Sequence, residues 1–299
     1  MFLSSVLLAS IATPAEAALP PPVRALIEAA MARGNEGEIS AVVKFAKETN
    51  PDDIDEITAL ATARNERIER ERVAKLSDDR IFVNWTGEGE LGGFRSTGNT
   101  STLGLAAGAR LERESLKWRH LLTASVNIQE SESVRTVERY LAAYQPNYKI
   151  DGNLYLTGLA QYEHDRFQGY DARYTGSVGA GYRAISRPGM TLDLEAGPAV
   201  RHTVFIPDAA NPRRHDTAFA GRGQLRYNWQ LSPGLKFSNL TAAILESETN
   251  TVTSTTALDT KLFGPLSARL SYDIRYESEP QDGRKSLDTM SRATLVYNF

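Results

Sequence analysis

Apolar and polar residues alternate one by one along most of this chain. At its end, Ala293, Leu295, Tyr297 and Phe299 share one face, opposed by Arg292, Thr294, Val296 and Asn298. Leu270, Tyr272, Ile274 and Tyr276 oppose Arg269, Ser271, Asp273 and Arg275 in the same way. Trp118, Leu122, Ala124, Val126 and Ile128 face away from Arg119, Thr123, Ser125 and Asn127, and Leu192, Leu194, Ala196 and Val200 from Asp193 and Glu195. A period of two marks a β-strand with unlike faces. These runs last ten to fifteen residues, whereas the strands of soluble sandwiches are about five or six long. Ten residues at about 3.3 Å each, tilted by about 40°, rise about 25 Å, the height of an outer-membrane apolar band.

Turn residues set the count. Short connections fall at Ser115-Leu116-Lys117, Asp151-Gly152-Asn153, Arg187-Pro188-Gly189, Ser232-Pro233-Gly234 and Gly264-Pro265-Leu266. Longer polar connections lie between them at 95–99, 130–134, 166–172, 206–216, 246–251 and 277–286. They predict twelve strands at 82–94, 100–114, 117–129, 135–149, 153–165, 173–186, 190–205, 217–230, 235–245, 252–263, 266–276 and 287–299. The expected fold is all-β: an antiparallel up-and-down transmembrane β-barrel with tight periplasmic turns and longer outer loops. An even strand number brings both barrel ends to the periplasmic side.

The first part of the chain has a different period. Val23, Leu26, Ile27, Ala30 and Met31 recur at helical spacing between Pro20-Pro21-Pro22 and Gly34; Ile39, Val42, Val43 and Ala46 continue until Asn50-Pro51. Asp52-Asp53 opens a third helix whose tail, Arg64 to Arg72, alternates bases with acids and reads as a solvated spacer. Before it, the apolar run 2–12, Thr13-Pro14 and Ala15-Glu16-Ala17 have the form of an export signal cleaved after Ala17, although no Lys or Arg precedes the run. The expected organisation is a signal peptide at 1–17, a small α-helical periplasmic domain at 18–79 and the barrel at 80–299.

Composition removes other classes. Cysteine is absent, which excludes disulfide scaffolds, cysteine-ligated metals and thiol catalysis. The formal net charge of −3 lies in the helical part and no basic block occurs, so nucleic acid is not an expected partner. No run of apolar residues is long enough for a membrane-spanning helix. The averages, 41% hydrophobic and 24% charged, resemble a soluble chain because they sum two opposite faces of one wall.

The aromatics fit the barrel. Trp85, Trp118 and Trp229 fall at strand ends beside the short turns, where an aromatic girdle belongs. Tyr297 and Phe299 end an amphipathic strand in the manner read by the outer-membrane assembly machinery, an expected partner beside outer-membrane lipid and lipopolysaccharide. Parity points Arg119, Arg139, Arg183, Glu195, Arg226, Arg269, Asp273 and Arg275 into the lumen, together with Arg110, Glu112, Asp193 and Arg222. Their mixed signs predict charge ladders partly filling the lumen rather than a filter of one sign.

Several stretches carry a family resemblance. Trp85-Thr86-Gly87-Glu88-Gly89-Glu90-Leu91-Gly92-Gly93 with Ser96-Thr97-Gly98-Asn99-Thr100, Glu138 to Tyr144, Tyr162 to Asp171, Gly179 to Arg183, Leu192 to Pro198 and Ser291 to Phe299 together resemble the family of salt-induced outer-membrane proteins. The likeness runs through residues 82–299 and leaves out the helical domain. It implies an outer-membrane barrel associated with salt response and brings no catalytic or binding residues.

One hairpin concentrates charge: Glu163, Asp165, Arg166, Asp171 and Arg173, with His164. Parity turns Glu163 and Asp165 inward and His164 outward. The cluster reads as a salt-bridged hairpin stiffening the barrel mouth or as a site for a hard cation. A hydrolase would need a serine, a histidine and an orienting carboxylate together; His120, His164, His202 and His215 have no serine placed within reach and no nucleophile elbow occurs. No cofactor, metal or catalytic residue is predicted. Three roles remain: a non-enzymatic barrel for restricted passage or envelope integrity under osmotic stress, an anchor presenting the helical domain to a periplasmic protein, and an outer-membrane lipid hydrolase.

Overall fold

The computed structural model describes residues 19–78, 80, 82–96, 102–207, 214–280 and 285–299. The expected signal peptide at 1–17 lies outside the described residues, as do parts of the connections at 95–99, 206–216 and 277–286. The chain divides into two compact units, Met1–Lys75 and Leu76–Phe299.

The first unit is helical. α1 (Pro21–Arg33) starts on prolines, whose fixed φ suits a first turn, and stops at Gly34 with φ 75°. α2 (Glu36–Thr49) is capped by Asn35, whose side chain accepts from the Gly37 and Glu38 amides at 3.0 and 3.3 Å. After a 3-10 turn at Pro51–Asp53 comes α3 (Ile54–Leu76). Leu19, Ile27, Ala46 and Ile57 form a small core, and Glu56 accepts from the Leu19 amide at 2.7 Å and pairs with Arg24. The outer part of α3 carries exposed ion pairs such as Arg72–Glu69 at 2.8 Å, which contribute little stability.

The second unit is a closed antiparallel barrel of twelve strands, each paired with its chain neighbours and the last with the first. They are β1 (Trp85–Ser96), β2 (Thr102–Glu114), β3 (Trp118–Ser131), β4 (Val134–Lys149), β5 (Leu154–Asp165), β6 (Tyr170–Arg187), β7 (Met190–Phe205), β8 (His215–Ser232), β9 (Leu235–Glu246), β10 (Asn250–Phe263), β11 (Leu266–Glu277) and β12 (Leu287–Asn298).

Many strand ends differ from expectation by one or two residues, and four differences have a clear local reason. β6 starts at Tyr170 rather than 173, because Asp165 accepts from the Gln168 amide at 3.1 Å and Gly169, at φ 90°, turns the chain straight back. The connection expected at 130–134 is a tight turn in which Glu132 and Ser133 take φ of 51° and 65°, so the outer connections are not uniformly long. The first strand begins at Trp85, not 82, after Asn84 at φ 63°. The unit boundary falls at Lys75–Leu76 rather than 79–80: Arg113 donates to the Val83, Arg80 and Asp78 carbonyls at 3.2, 3.2 and 3.4 Å, tying this stretch to the barrel.

The outward wall exposes Leu103, Leu105, Val178, Phe219, Leu270 and Leu295, while Arg173, Glu163, Glu195 and Arg222 on the opposite parity are buried. This is the inside-out amphipathicity of an outer-membrane-type barrel. Trp85, Trp118 and Trp229 lie on the outward parity at the rim where both barrel ends lie, and Trp118 stacks on His120 at 5.6 Å and meets Tyr148 edge-on at 5.1 Å. β9 is inverted. Leu245 is exposed on the outward face and Glu246 is turned inward, so Leu240, Ala242 and Ile244 line the lumen. On the outward face Asn239 donates to Ser254 and Thr256 at 3.2 and 2.9 Å.

The first and last strands meet over a short distance. Among the described residues their register runs from Glu88–Asn298 to Leu91–Leu295, whereas β2 and β3 stay paired from Thr102–Ser131 to Glu114–Arg119. Gly87 and Phe299 extend the closure by donating to each other's carbonyl at 2.8 and 2.9 Å. The Phe299 ring lies against Gly87 so closely that a Cβ there would come within 2.5 Å.

Candidate functional site

The lumen holds the chemistry of this chain, because strand parity turns the charged residues inward. At the end away from the barrel termini, taken as the outer end, a network crosses the barrel. Arg275 on β11 reaches Glu163 on β5 at 3.4 Å, the Tyr170 hydroxyl on β6 at 2.8 Å and Glu277 at 3.0 Å. Arg173 on β6 reaches Glu277 at 3.0 Å and lies over the Tyr170 ring at 3.9 Å. Arg201 on β7 donates to Thr251 on β10 at 3.0 Å and pairs with Glu246 on β9 at 2.9 Å. Arg139 stands 3.7 Å from Asp165. β5 and β6 face β11 across the barrel, so the contacts of Arg275 with Glu163 and Tyr170 and of Arg173 with Glu277 span the lumen instead of lining one wall. Tyr170 at its centre has no exposed surface.

Deeper in, the pairs stay near the walls. Glu195 accepts from Gln145 at 2.8 Å, Tyr155 at 3.0 Å and Arg222 at 3.1 Å. The Tyr155 ring rests on Gly181, where a Cβ would approach it to 2.2 Å. Asp193 is held by Arg183 at 2.7 Å and Arg119 at 3.4 Å. Opposite, Arg269 gathers Asp259, Glu88 and Glu90 at 2.6, 3.0 and 3.0 Å, and Arg292 joins Asp273 at 2.7 Å with Asn127 at 2.8 Å. Between these walls a cavity of about 710 Å³ extends to Asn298 and Phe299 at the rim of the barrel ends. A second, of about 310 Å³, lies below the crossing network, and Arg110, Arg226 and Arg292 line both.

Residues 89–299 match the family described as "Protein of unknown function, DUF481". The chain belongs to this family. It is 25% identical over 229 residues to the uncharacterized protein YdiY of Escherichia coli (strain K12), covering 76% of this chain and 88% of the relative. Among solved structures, the NanC porin shares 13% identity with a TM-score of 0.43, over 70% of this chain and 98% of that one. The translocator domain of the autotransporter NalP from Neisseria meningitidis shares 12% with a TM-score of 0.42, over 80% and 98%. The family description carries no salt response.

In this DUF481 barrel the five charges expected together at one hairpin separate. Glu163, Asp165 and Arg173 are buried in the crossing network, whereas Arg166 and Asp171 are exposed outside it. The reason is a bulge: the register shifts between Tyr170 and Ala172, so Asp171 leaves the inward parity of Arg173 and is exposed, its carbonyl contacting His164 at 2.5 Å. Glu277, which shares Arg275 with Glu163, and Glu246, which pairs with Arg201, each end a strand one residue beyond the bounds expected from the sequence, and Tyr170 falls in an expected connection. Carrying inward parity one residue further would have found all but Tyr170. Among the described residues, no three His, Asp or Glu side chains group as a metal ion would require. The histidines lie on the outer wall in ring contacts, His120 with Tyr144 at 6.0 Å and His202 with His215 at 5.7 Å.

Proposed function

We propose that this protein is a non-enzymatic outer-membrane barrel that passes small polar solutes or ions restrictively, its outer end held shut by side chains. The observation that carries this reading is the contrast between the two ends. The half near the barrel termini contains a cavity of about 710 Å³ lined by charged and hydroxyl groups, while the outer end is crossed by side-chain ion pairs. Side-chain ion pairs can part and re-form without unfolding the wall. A barrel closed in this manner would admit solutes during osmotic stress without a standing leak. The helical unit would lie in the periplasm.

Planar-bilayer recording on the full refolded chain tests the reading. The unaltered protein is expected to give rare, small openings, and Arg173→Ala/Arg275→Ala frequent larger ones. Silence from both would refute passage, and hydrolysis of phospholipid or lipopolysaccharide by the purified protein would overturn the non-enzymatic role. A second reading, an anchor for a periplasmic partner, draws on Leu26 and Phe45, which leave 59% and 62% of their surface exposed on the helical unit.

A further inference from the structure

We infer that the waist of the lumen is a binding site for a small oxyanion, with the Arg226 guanidinium as its centre. Arg226 projects inward from β8, where the register sets Asp193 beside it on β7 and Leu240 on β9. Asp193 should be its partner, but that carboxylate is taken by Arg183 and Arg119. Glu195, the next inward acid along β7, is occupied by Arg222, Gln145 and Tyr155. On the other side the inversion of β9 supplies an alkyl group in place of a carboxylate. Arg226 is therefore left with no ion pair among the described residues, and its Nε is buried without a hydrogen-bond acceptor.

A guanidinium without an anion is costly in a confined space, and its surroundings add to the demand. Arg110 lines the same waist and reaches Glu112 only at 3.6 Å. The larger cavity is lined by seven cationic and four anionic side chains, the smaller by six and two. The acids are drawn off into pairs, so the free space is positive although the barrel as a whole is near neutral. The Thr123 and Ser125 hydroxyls border both cavities and can donate to a second oxygen of the ligand. The fitting ligand class is a small solute bearing a carboxylate or phosphate group, which accepts the forked donors of arginine. As a statement about what passes, this rests on the reading of the lumen as a restricted pathway; as a binding site it rests on the geometry alone.

Calorimetry on the full refolded chain in detergent, titrated separately with inorganic phosphate and with succinate, tests the site and distinguishes the two head groups. At least one is expected to bind. Arg226→Gln should weaken that binding about ten- to a hundredfold, the range for losing a charge-assisted hydrogen bond. Arg187→Gln, at an exposed strand end, should leave it unchanged, and heat-shifted gel mobility verifies that each variant is folded. Absence of binding by both anions, or equal binding by Arg226→Gln, would overturn the site whatever the conductance. Reversal potentials across a KCl gradient test passage separately, in the Arg173→Ala/Arg275→Ala background. If those channels conduct and Arg226→Gln leaves their anion preference intact, the site binds but does not select. If no variant conducts, the pathway falls and calorimetry still decides the site.

Discussion

Replacing Arg275 by methionine removes a side chain of similar length and deletes three contacts at once: Glu163 at 3.4 Å, Tyr170 at 2.8 Å and Glu277 at 3.0 Å. The consequences differ for the two acids. Glu277 keeps Arg173 at 3.0 Å, but Glu163 loses its ion pair and stays buried. Breaking a buried pair from one side costs about 3–5 kcal/mol, mostly for the stranded charge. Neutralising that charge as well should recover much of the loss, so Arg275→Met/Glu163→Gln is expected to lie about 2 kcal/mol above Arg275→Met. Urea unfolding of the full chain in detergent, followed by tryptophan fluorescence, reads these differences from the four corners of the cycle. A coupling below about 0.5 kcal/mol would refute the claim that the crossing network carries the closed outer end. So would a single variant as stable as the parent.

Gly181→Ala should cost about 1–3 kcal/mol because its Cβ would meet the Tyr155 ring at 2.2 Å, whereas Gly176→Ala, with nothing within 4 Å, should be close to neutral in the same unfolding assay. Phe299→Ala should slow barrel closure, read as delayed appearance of the heat-shifted gel form, because it removes the ring lying on Gly87; folding at the parent rate would refute this. In the turn before β5, the Leu154 and Asn153 amides donate to Asp151 and hold its carboxyl below the ordinary range. Its contribution is thus present above the unfolded pKa, near 4, and is lost as pH falls through the lower folded value. Asp151→Asn should flatten the stability profile in that acid window, and an unchanged slope would refute the assignment.

The barrel was legible because lipid and lumen impose opposite demands on alternate residues, and β11 and β12 obey that rule from Leu270 to Phe299. β9 obeys it at its ends, with Lys236, Ser238 and Glu246 against Leu235, Phe237 and Leu245, but its middle taken alone would send Leu240, Ala242 and Ile244 to the lipid. The register against β8, with Glu246 paired to Arg201 inside, fixes their direction. The lumen charges were legible as a set and illegible as pairs. Arg275 and Glu163 lie 112 positions apart, and no local pattern says that the two would meet across a barrel. The unpartnered state of Arg226 was equally hidden, since Asp193 stands beside it in register and the competing Arg119 and Arg183 come from other strands.

The closure between β1 and β12 has a mechanical consequence. A tube whose wall is uniformly bonded widens only if every strand pair shears a little. Here the bonds between the first and last strands stop near Leu91 and Leu295, so hoop strain concentrates along that one line, above the point where Phe299 clasps Gly87. Any swelling of the tube would be taken up there as a slit towards the lipid, with the remaining wall nearly rigid. The girth of what could pass would then be limited by how far one seam yields, independently of how readily the outer ion pairs part.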